Sequence, residues 1–178
     1  MTEQMTKSSH QQDEKNLDIQ NNNTKTGINL TQLVTFKVDN ELYGLEILKI
    51  QEIVRLPDIT RLPKAMSFIK GVINLRGNIV PVIDLREKFG LPAKRYTKMT
   101  RAIVVEVAGK KIALIVDEVA QVLRLDSNEI SEAPSLVSSV AKEFIKGVAK
   151  FEDQLVIILM IDRILSSNEI IELEKTGE

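Results

Sequence analysis

The sequence predicts a mainly β protein: two tandem, pseudo-repeated five-stranded barrels, with short helices between strands and a helix at the C-terminus. Two observations favour this class. Short apolar segments alternate with polar residues at a period of two, as half-buried strands do, and the same order of segments occurs twice. Five short strands with a helical turn can close into a small barrel, which leaves no long exposed edge. We expect barrel 1 at about residues 30–90, barrel 2 at about 100–162 and the C-terminal helix at about 162–175; an exchange of segments between the barrels stays open.

The composition excludes several classes of function. The chain has 178 residues, no cysteine and a single histidine, His10, so we expect no disulfide, no thiolate metal site and no histidine-centred catalytic site. Its net charge of −1 creates no global field that would attract nucleic acid or an anionic membrane. No apolar run approaches the ~20 residues that a membrane-spanning helix needs. We therefore expect a cytoplasmic protein without direct membrane insertion.

The first barrel is predicted to follow a disordered polar tail, residues 1–28, which has too few apolar side chains to offset the entropy of ordering it. Residues 34–38 alternate as a strand, and Asn40 is expected to take the positive φ of a tight turn. A return strand follows at 42–47. Apolar residues at three- and four-residue spacing in 47–54 then favour a helical turn.

The next segment has the most distinctive pattern. Residues 64–70 are predicted to form one or two helical turns that Gly71 ends with a left-handed cap. Two apolar strands then meet at an Arg-Gly-Asn corner, residues 76–78, where Gly77 is the turn residue. The second strand, 79–83, is apolar on both faces, which predicts burial on both sides. Pro81 within it must lie at an edge, a bulge or a point where sheets part, because it cannot donate to a ladder.

A short helix should follow this hairpin. Asp84 is placed to cap its N-terminus with Glu87 as the reciprocal partner, and Gly90 is placed to end it. At the far end of the chain, Ser166 and Glu169 form a second candidate capping pair.

An internal duplication relates the two halves. Residues 34–38 match 103–107 at an offset of 69, and residues 68–72 recur at 144–148 as five successive identities at an offset of 76. The copies differ at the corner, where Asn-Leu-Arg-Gly of the first becomes Lys-Phe-Glu-Asp of the second. The first corner therefore carries a property that the second does not need.

Enzyme chemistry finds no support in the pattern, so we expect no catalytic residue, no metal and no cofactor. The sequence contains no glycine-rich phosphate loop, no nucleophile elbow and no metal-ligand spacing. Two conspicuous carboxylates, Asp84 and Asp162, are expected to serve as helix caps. A nucleic-acid-binding barrel would need a basic groove with stacking aromatics, and this chain has two tyrosines and no tryptophan.

With enzyme and nucleic-acid functions disfavoured, the sequence favours a protein that binds another protein. Arg76 at the hairpin tip is the first candidate, because the planar arginine fork makes several bonds at once and is favoured at interfaces; the alternative is a solvated turn arginine. Ile50, with its neighbour Glu52, is the second candidate, and its alternative is plain core.

Three stretches, residues 43–53, 68–86 and 112–119, resemble the CheW family of chemotaxis coupling proteins. The run Asn-Leu-Arg-Gly-x-Ile-Val-Pro-x-x-Asp-Leu-Arg is the most specific part of the resemblance. It implies two SH3-like barrels with a groove between them. It also implies a non-enzymatic adaptor that links the cytoplasmic tips of methyl-accepting chemoreceptors to the regulatory domain of a CheA-type histidine kinase, recruited to membrane-associated receptor arrays.

By position, the resemblance implies receptor-facing residues Ile50, Glu52, Gly71, Arg76 and Val122. Kinase contacts are expected on the second barrel. Two alternatives stay open: a stand-alone kinase-binding regulatory module that acts without a receptor, and a small-molecule enzyme built on the barrels.

Overall fold

The computed structural model describes residues 29–135 and 142–176. The predicted polar tail, residues 1–28, lies outside this range. The described residues form ten strands in two five-stranded sheets and only two α-helices, which confirms the mainly β class. The strands are β1 Leu30–Val38, β2 Glu41–Glu46, β3 Ile50–Arg55, β4 Ile69–Leu75, β5 Asn78–Asp84, β6 Arg101–Val107, β7 Lys110–Val116, β8 Glu118–Asp126, β9 Ile145–Phe151 and β10 Gln154–Leu159. The α-helices are α1 Leu85–Lys88 and α2 Ser167–Thr176, and four 3₁₀ helices cover Ile47–Lys49, Ser127–Glu129, Lys142–Phe144 and Ile161–Arg163.

Each sheet takes strands from both halves of the chain. One sheet has the order β8-β1-β2-β10-β9, and the other has the order β3-β6-β7-β5-β4. Four strand pairs join the halves: the parallel pairs β2–β10 and β5–β7, and the antiparallel pairs β1–β8 and β3–β6. The pairs within each half are antiparallel. Each sheet thus combines the first two strands of one repeat with the last three strands of the other, so neither repeat forms a complete sheet from its own residues.

The main hydrophobic core lies where the two sheets and both α-helices meet. Its strand residues follow the predicted alternation, as Phe36, Leu45 and Leu114 show, each of which is fully buried. Rings of Tyr43, Phe89 and Phe144 continue the stack begun by Phe36, with centroids 5.1 to 6.3 Å apart. These aromatic contacts connect the C-terminal end of α1 to β1 and β2 of the first repeat and to the 3₁₀ helix Lys142–Phe144 of the second.

Gly71 is a strand residue, so its predicted role as a helix cap is wrong. Residues 64–70 form two turns and the start of β4, with no helix for Gly71 to end. The chain needs glycine here for another reason: φ is +139°, and a Cβ atom would stand 2.0 Å from the carbonyl oxygen of Thr60. Thr60 pairs with Val72 through two backbone hydrogen bonds of 2.9 Å, which hold the preceding loop across β4.

The second repeat builds the same crossing. Ser131 pairs with Val148 through two backbone hydrogen bonds of 2.8 Å, and a Cβ atom on Gly147 would stand 2.6 Å from the Ser131 carbonyl oxygen. The matched identity of Gly71 and Gly147 therefore reflects a shared close approach of two backbone segments.

The predicted helical turn over 47–54 is only partly correct. A 3₁₀ helix covers Ile47–Lys49, but Ile50–Arg55 is strand β3, in which exposed and half-buried residues alternate. The apolar spacing fits both the helical and the strand period, and hydrogen bonding to β6 makes the segment a strand. A bulge between Ile50 and Glu52 gives the irregular phase that resembles a helix.

Of the two predictions for β5, the burial on both sides is wrong and the position of Pro81 is confirmed. Ile79 is 63% exposed, so the strand is not buried on both sides, although Val80, Val82 and Ile83 are buried. Pro81 pairs with Val72 of β4 and precedes the stretch of β5 that pairs with β7, which begins at Val82. It therefore lies where β5 has not yet joined its second neighbour, as its missing N–H requires.

The helix termini match the predictions in part. The Asp84 carboxylate accepts a hydrogen bond from the Arg86 backbone N–H at 2.9 Å, and Gly90 ends α1 with φ +78°. Glu87, expected to complete a capping box with Asp84, instead forms an ion pair with Lys70.

Near the C-terminus, Ser166 and Glu169 cap α2 reciprocally, as predicted. Asp162 is not a cap: it lies inside the 3₁₀ helix Ile161–Arg163, and its carboxylate lies 3.4 Å from the ammonium of Lys49. In the first hairpin, the positive φ belongs to Asp39 rather than to Asn40.

Candidate protein-binding site

The corner between β4 and β5 is a two-residue turn with a fixed geometry. Arg76 and Gly77 both have positive φ, +50° and +88°, which is the type I′ conformation that matches the twist of a hairpin. The side-chain oxygen of Asn74 accepts a hydrogen bond from the Gly77 backbone N–H at 2.8 Å. The predicted turn role of Gly77 is confirmed, and the corner presents Arg76 on a short, hydrogen-bonded support.

Arg76 is exposed and has one ionic partner. Its side chain is 77% exposed, and its Nη2 donates to the carboxylate of Glu52, which is 28% exposed. Among the described residues this is the only hydrogen bond of the guanidinium, so Nη1 and Nε still face solvent as donors. The pair directs the guanidinium and leaves most of its bonding capacity for a second molecule.

Ile50 lies near this pair on the same strand as Glu52. It is half-buried and packs against the main core, so both the core interpretation and a partly exposed contact surface hold for it. Glu52 is also half-buried, and a bulge separates the two residues in the pairing with β6. Ile50 and Glu52 therefore combine an anchored apolar side chain with a charged one at the edge of the sheet.

Gly71 belongs to the same sheet, on the edge strand β4 that leads into the corner. It has no side chain to offer a partner, and its contribution is the backbone path that allows Thr60 to approach. Any larger residue would push the loop 56–68 away from β4, and would move the strand that carries Arg76.

Val122 lies on the other sheet. It is 53% exposed on the edge strand β8, opposite Val34. Ile50, Glu52 and Gly71 thus belong to the sheet that ends in β3 and β4, with Arg76 in its β4–β5 turn, and Val122 belongs to the other sheet. Among these five residues, the Arg76–Glu52 pair is in direct side-chain contact.

Asp84 is a buried, hydrogen-bonded carboxylate at the N-terminus of α1. It is 3% exposed and accepts hydrogen bonds from the Arg86 N–H and from the Tyr96 hydroxyl, the latter at 3.0 Å. Burial raises the pKa of the Asp84 carboxyl, and these hydrogen bonds oppose the rise. Asp84 also lines a small polar cavity of about 220 Å³, together with Asp39, Arg86 and Asp117.

Sequence reasoning missed Arg86. Its side chain is 7% exposed and forms ion pairs with Asp117 at 2.6 Å and with Asp39 at 3.2 Å, and the Asp117 hydrogen bond raises its pKa. It thereby ties α1 to the β1–β2 turn and to the junction of β7 and β8. The partners are 47 and 31 residues away in sequence, so no local pattern could have revealed the cluster.

The described residues offer no sign of a metal or membrane site. Within residues 29–135 and 142–176, no group of three or more His, Asp or Glu side chains could hold a metal ion. No helix in that range has the length and apolar character to cross a membrane.

Comparisons with known proteins agree on one family. The family model described as "CheW-like domain" matches residues 32–169. A curated relative, "Chemotaxis protein CheW" of Klebsiella aerogenes, is 38% identical over 138 residues, covering 78% of this chain and 83% of the relative. The protein of the same name from Bacillus subtilis is 33% identical over 141 residues, covering 79% and 88%.

A solved structure agrees with the sequence relatives. The sequence of the scaffolding protein TtCheW from Thermoanaerobacter tengcongensis is 40% identical to this chain, and its crystal structure matches the fold with a TM-score of 0.72. The match covers 78% of this chain and 90% of that one. Sequence and fold therefore point to the same family.

Proposed function

The chain belongs to the CheW-like domain family of chemotaxis scaffolding proteins, and on that premise we propose that it couples methyl-accepting chemoreceptors to a CheA-type histidine kinase. In this role it is a non-enzymatic adaptor in the cytoplasm, recruited to receptor arrays at the membrane. One face binds the receptor tip, and another binds the regulatory domain of the kinase.

The Arg76–Glu52 pair is the observation that supports a receptor site. A guanidinium that is exposed, directed by one carboxylate and carried on a type I′ turn is preorganised to bind carboxylate or carbonyl oxygens on a second protein. Half-buried Ile50 adds an apolar contact beside the charged pair. Such a combination of an apolar anchor and an arginine is typical of energetically important interface positions.

The coupling mechanism is one of local concentration and unequal affinity. An adaptor with two binding faces raises the concentration of kinase near receptors, so that weak individual contacts add through multivalency. A signal passes only when the two receptor states bind the adaptor–kinase unit unequally. No bond needs to be made or broken by this chain, which agrees with a scaffold.

The direct test is calorimetric titration of the full chain with a chemoreceptor tip fragment. Arg76→Ala should weaken binding at least about tenfold, as interface arginines commonly do, with an unchanged melting temperature. Glu152→Ala is the matched control, because Glu152 occupies the equivalent turn position in the second repeat, with φ +46°.

The outcomes separate the alternatives. Equal affinity of wild type and Arg76→Ala would remove Arg76 from the receptor site. Binding of the kinase regulatory domain without any binding of receptor tips would favour the stand-alone kinase-binding module and overturn the coupling role.

A further inference from the structure

A cationic cleft lies away from the Arg76 corner. It has a volume of about 1050 Å³ and is enclosed by the segment that joins β3 to β4 and the segment that joins α1 to β6. Six basic side chains and one acidic side chain, Asp58, line it. The basic residues are Arg55, Arg61, Lys64, Lys70, Lys98 and Arg101. Since the whole chain carries a net charge of −1, this cleft concentrates positive charge that the overall composition does not show.

Most of these cations have no ionic partner. Lys70 pairs with Glu87, and Arg101 donates to the backbone carbonyls of Lys98 and Thr100 at 2.8 Å. Among residues 29–135 and 142–176, no carboxylate forms an ion pair with the other four. Like charges gathered in one concave surface repel each other and raise its positive potential. A bound anionic group would reduce this repulsion.

The charge of Arg61 already acts across the cleft. Burial and the neighbouring Asp84 raise the pKa of the Tyr96 phenol, and Arg61 opposes that rise. Arg61 belongs to one wall and Tyr96 to the other, so the two segments face each other at short range.

Apolar side chains lie between the cations. Leu56 and Ile59 are half-buried and pack on a smaller hydrophobic cluster of the sheet that ends in β3 and β4. Ala65 and Met66 pack on the main core. Their remaining surface faces the cleft. The lining therefore alternates positive charge with apolar patches.

The walls are held in place before any ligand arrives. The Thr60–Val72 backbone pair fixes one wall to β4. In the other wall, the Thr97 backbone N–H donates to the Thr100 hydroxyl at 2.8 Å, and Tyr96 is bonded to Asp84. A preformed cleft loses less conformational entropy when it binds an extended ligand.

We propose that this cleft binds an acidic peptide segment of a partner protein, with apolar residues between its carboxylates. Arginine clusters recognise acidic motifs through planar, paired hydrogen bonds, and the apolar patches accept the interspersed side chains. A phosphate or nucleotide fits less well. The cleft has no glycine-rich backbone cradle for phosphate and a single aromatic ring, Tyr96, on which a base could stack.

The test uses the full chain and a short fluorescent peptide in which Glu and Leu alternate, followed by anisotropy. A peptide with Gln in place of Glu is the ligand control. We expect the Glu peptide to bind at least about tenfold more tightly, with affinity that falls as salt rises, because ions screen the attraction between solvent-accessible charges of opposite sign. The double variant Arg61→Glu, Lys64→Glu should reduce affinity by at least about tenfold.

Lys111→Glu is the matched protein control, since Lys111 is exposed at the start of β7 and lies outside the cleft. It should change affinity less than about twofold, and so should Arg76→Ala. Equal losses in the cleft and control variants would reduce the effect to non-specific attraction and overturn the site. Equal affinity for the Glu and Gln peptides would do the same. Displacement of the peptide by tripolyphosphate at lower concentration than by unlabelled peptide would overturn the peptide assignment in favour of a phosphate ligand.

Discussion

Arg76 donates a hydrogen bond to the Glu52 carboxylate and so connects the two edge strands of one five-stranded sheet, β4 and β3. The two residues are 24 positions apart in sequence and lie at opposite ends of the strand order. The pair therefore spans the gap across which this sheet curls towards closure. Its position also places one charge of each sign where the two edge strands of the sheet approach each other.

A double-mutant cycle on this pair should separate stability from binding. We expect Glu52→Ala, Arg76→Ala and the double variant each to change the free energy of unfolding by about 1 kcal/mol or less, since exposed ion pairs contribute little. Receptor-tip affinity should fall in both single variants, and the double variant should lose less than the sum, because Glu52 acts partly by directing Arg76. Denaturant unfolding and calorimetry measure the two quantities. Strictly additive losses would show that the residues act independently.

Three glycines should respond to alanine in a set order. Gly71→Ala should be the most destabilising, because its Cβ would overlap the Thr60 carbonyl at 2.0 Å and its φ is +139°. Gly147→Ala has a backbone clash at 2.6 Å without a positive φ, and Gly77→Ala has a positive φ with open space. We expect about 3 kcal/mol or more for the first, about 2 for the second and about 1 for the third.

Denaturant midpoints of the three alanine variants provide the measurement. Gly71→Val should behave as Gly71→Ala or worse. If Gly77→Ala were the most harmful of the set, the close backbone approach would not be the reason for glycine at position 71.

Arg86 should be a major contributor to stability. Arg86→Met removes a buried guanidinium that holds Asp39 and Asp117, and leaves both carboxylates close together. Loss of one partner from a fully buried pair costs about 3–5 kcal/mol, and the partial exposure of these carboxylates lowers our expectation to about 2 kcal/mol. Thermal and denaturant unfolding test this. Adding Asp117→Asn to Arg86→Met should recover part of the loss, and a further loss would contradict the explanation.

The sequence predicts strands well where the pattern is local. Alternation in β1 and β6, the two matched hairpins and the capping pair at Ser166 all depend on residues close together in the chain, and all are present. For strand β3 the pattern wrongly predicts a helix over part of its length, because the apolar spacing from Ile47 to Val54 suits both the helical and the strand period. Only pairing with β6, some fifty residues later, decides between them.

For the candidate site too, the sequence predicts features that depend on neighbouring residues and fails to predict those that depend on distant ones. Residue type and turn position identified Arg76, since an exposed arginine beside a glycine is a local feature. Its pairing with Glu52 and the Arg86 cluster depend on which strands become neighbours, and the strand exchange between repeats determines that. The cationic cleft combines two segments with modest charge of their own, so it becomes visible only when the fold brings Arg61 and Lys98 together.

Asp84 predicts a pH dependence with a defined sign. Its pKa in the folded protein is raised by burial, so the folded state holds the proton more tightly than the unfolded state does. Stability from this group is therefore greatest below the ordinary carboxyl pKa of about 3.9 and is lost as pH rises through the folded-state value. Asp84→Asn keeps a cap oxygen for Arg86 without the charge.

Comparison of Asp84→Asn with wild type should show the effect. The free-energy difference between the two should move in favour of the variant as pH rises from about 3 to 7. Urea unfolding at several pH values measures it. A difference that is constant over this range, or that moves the other way, would contradict a raised pKa at Asp84.

The exchange of strands between repeats predicts that the halves cannot fold alone. A cut between Ala93 and Lys94 falls in the exposed segment 92–99, outside every strand. The N-terminal fragment then holds β1 and β2 of one sheet and β3, β4 and β5 of the other, and the missing strands leave the core faces of both unpaired. We expect neither fragment to unfold cooperatively by itself. An equimolar mixture should recover the β-sheet circular dichroism of the intact chain and melt at a temperature that rises with protein concentration, because association and folding are coupled. Cooperative unfolding of the isolated N-terminal fragment would show instead that the repeat is an independent unit, and that the strand pairs between the repeats only dock two finished units.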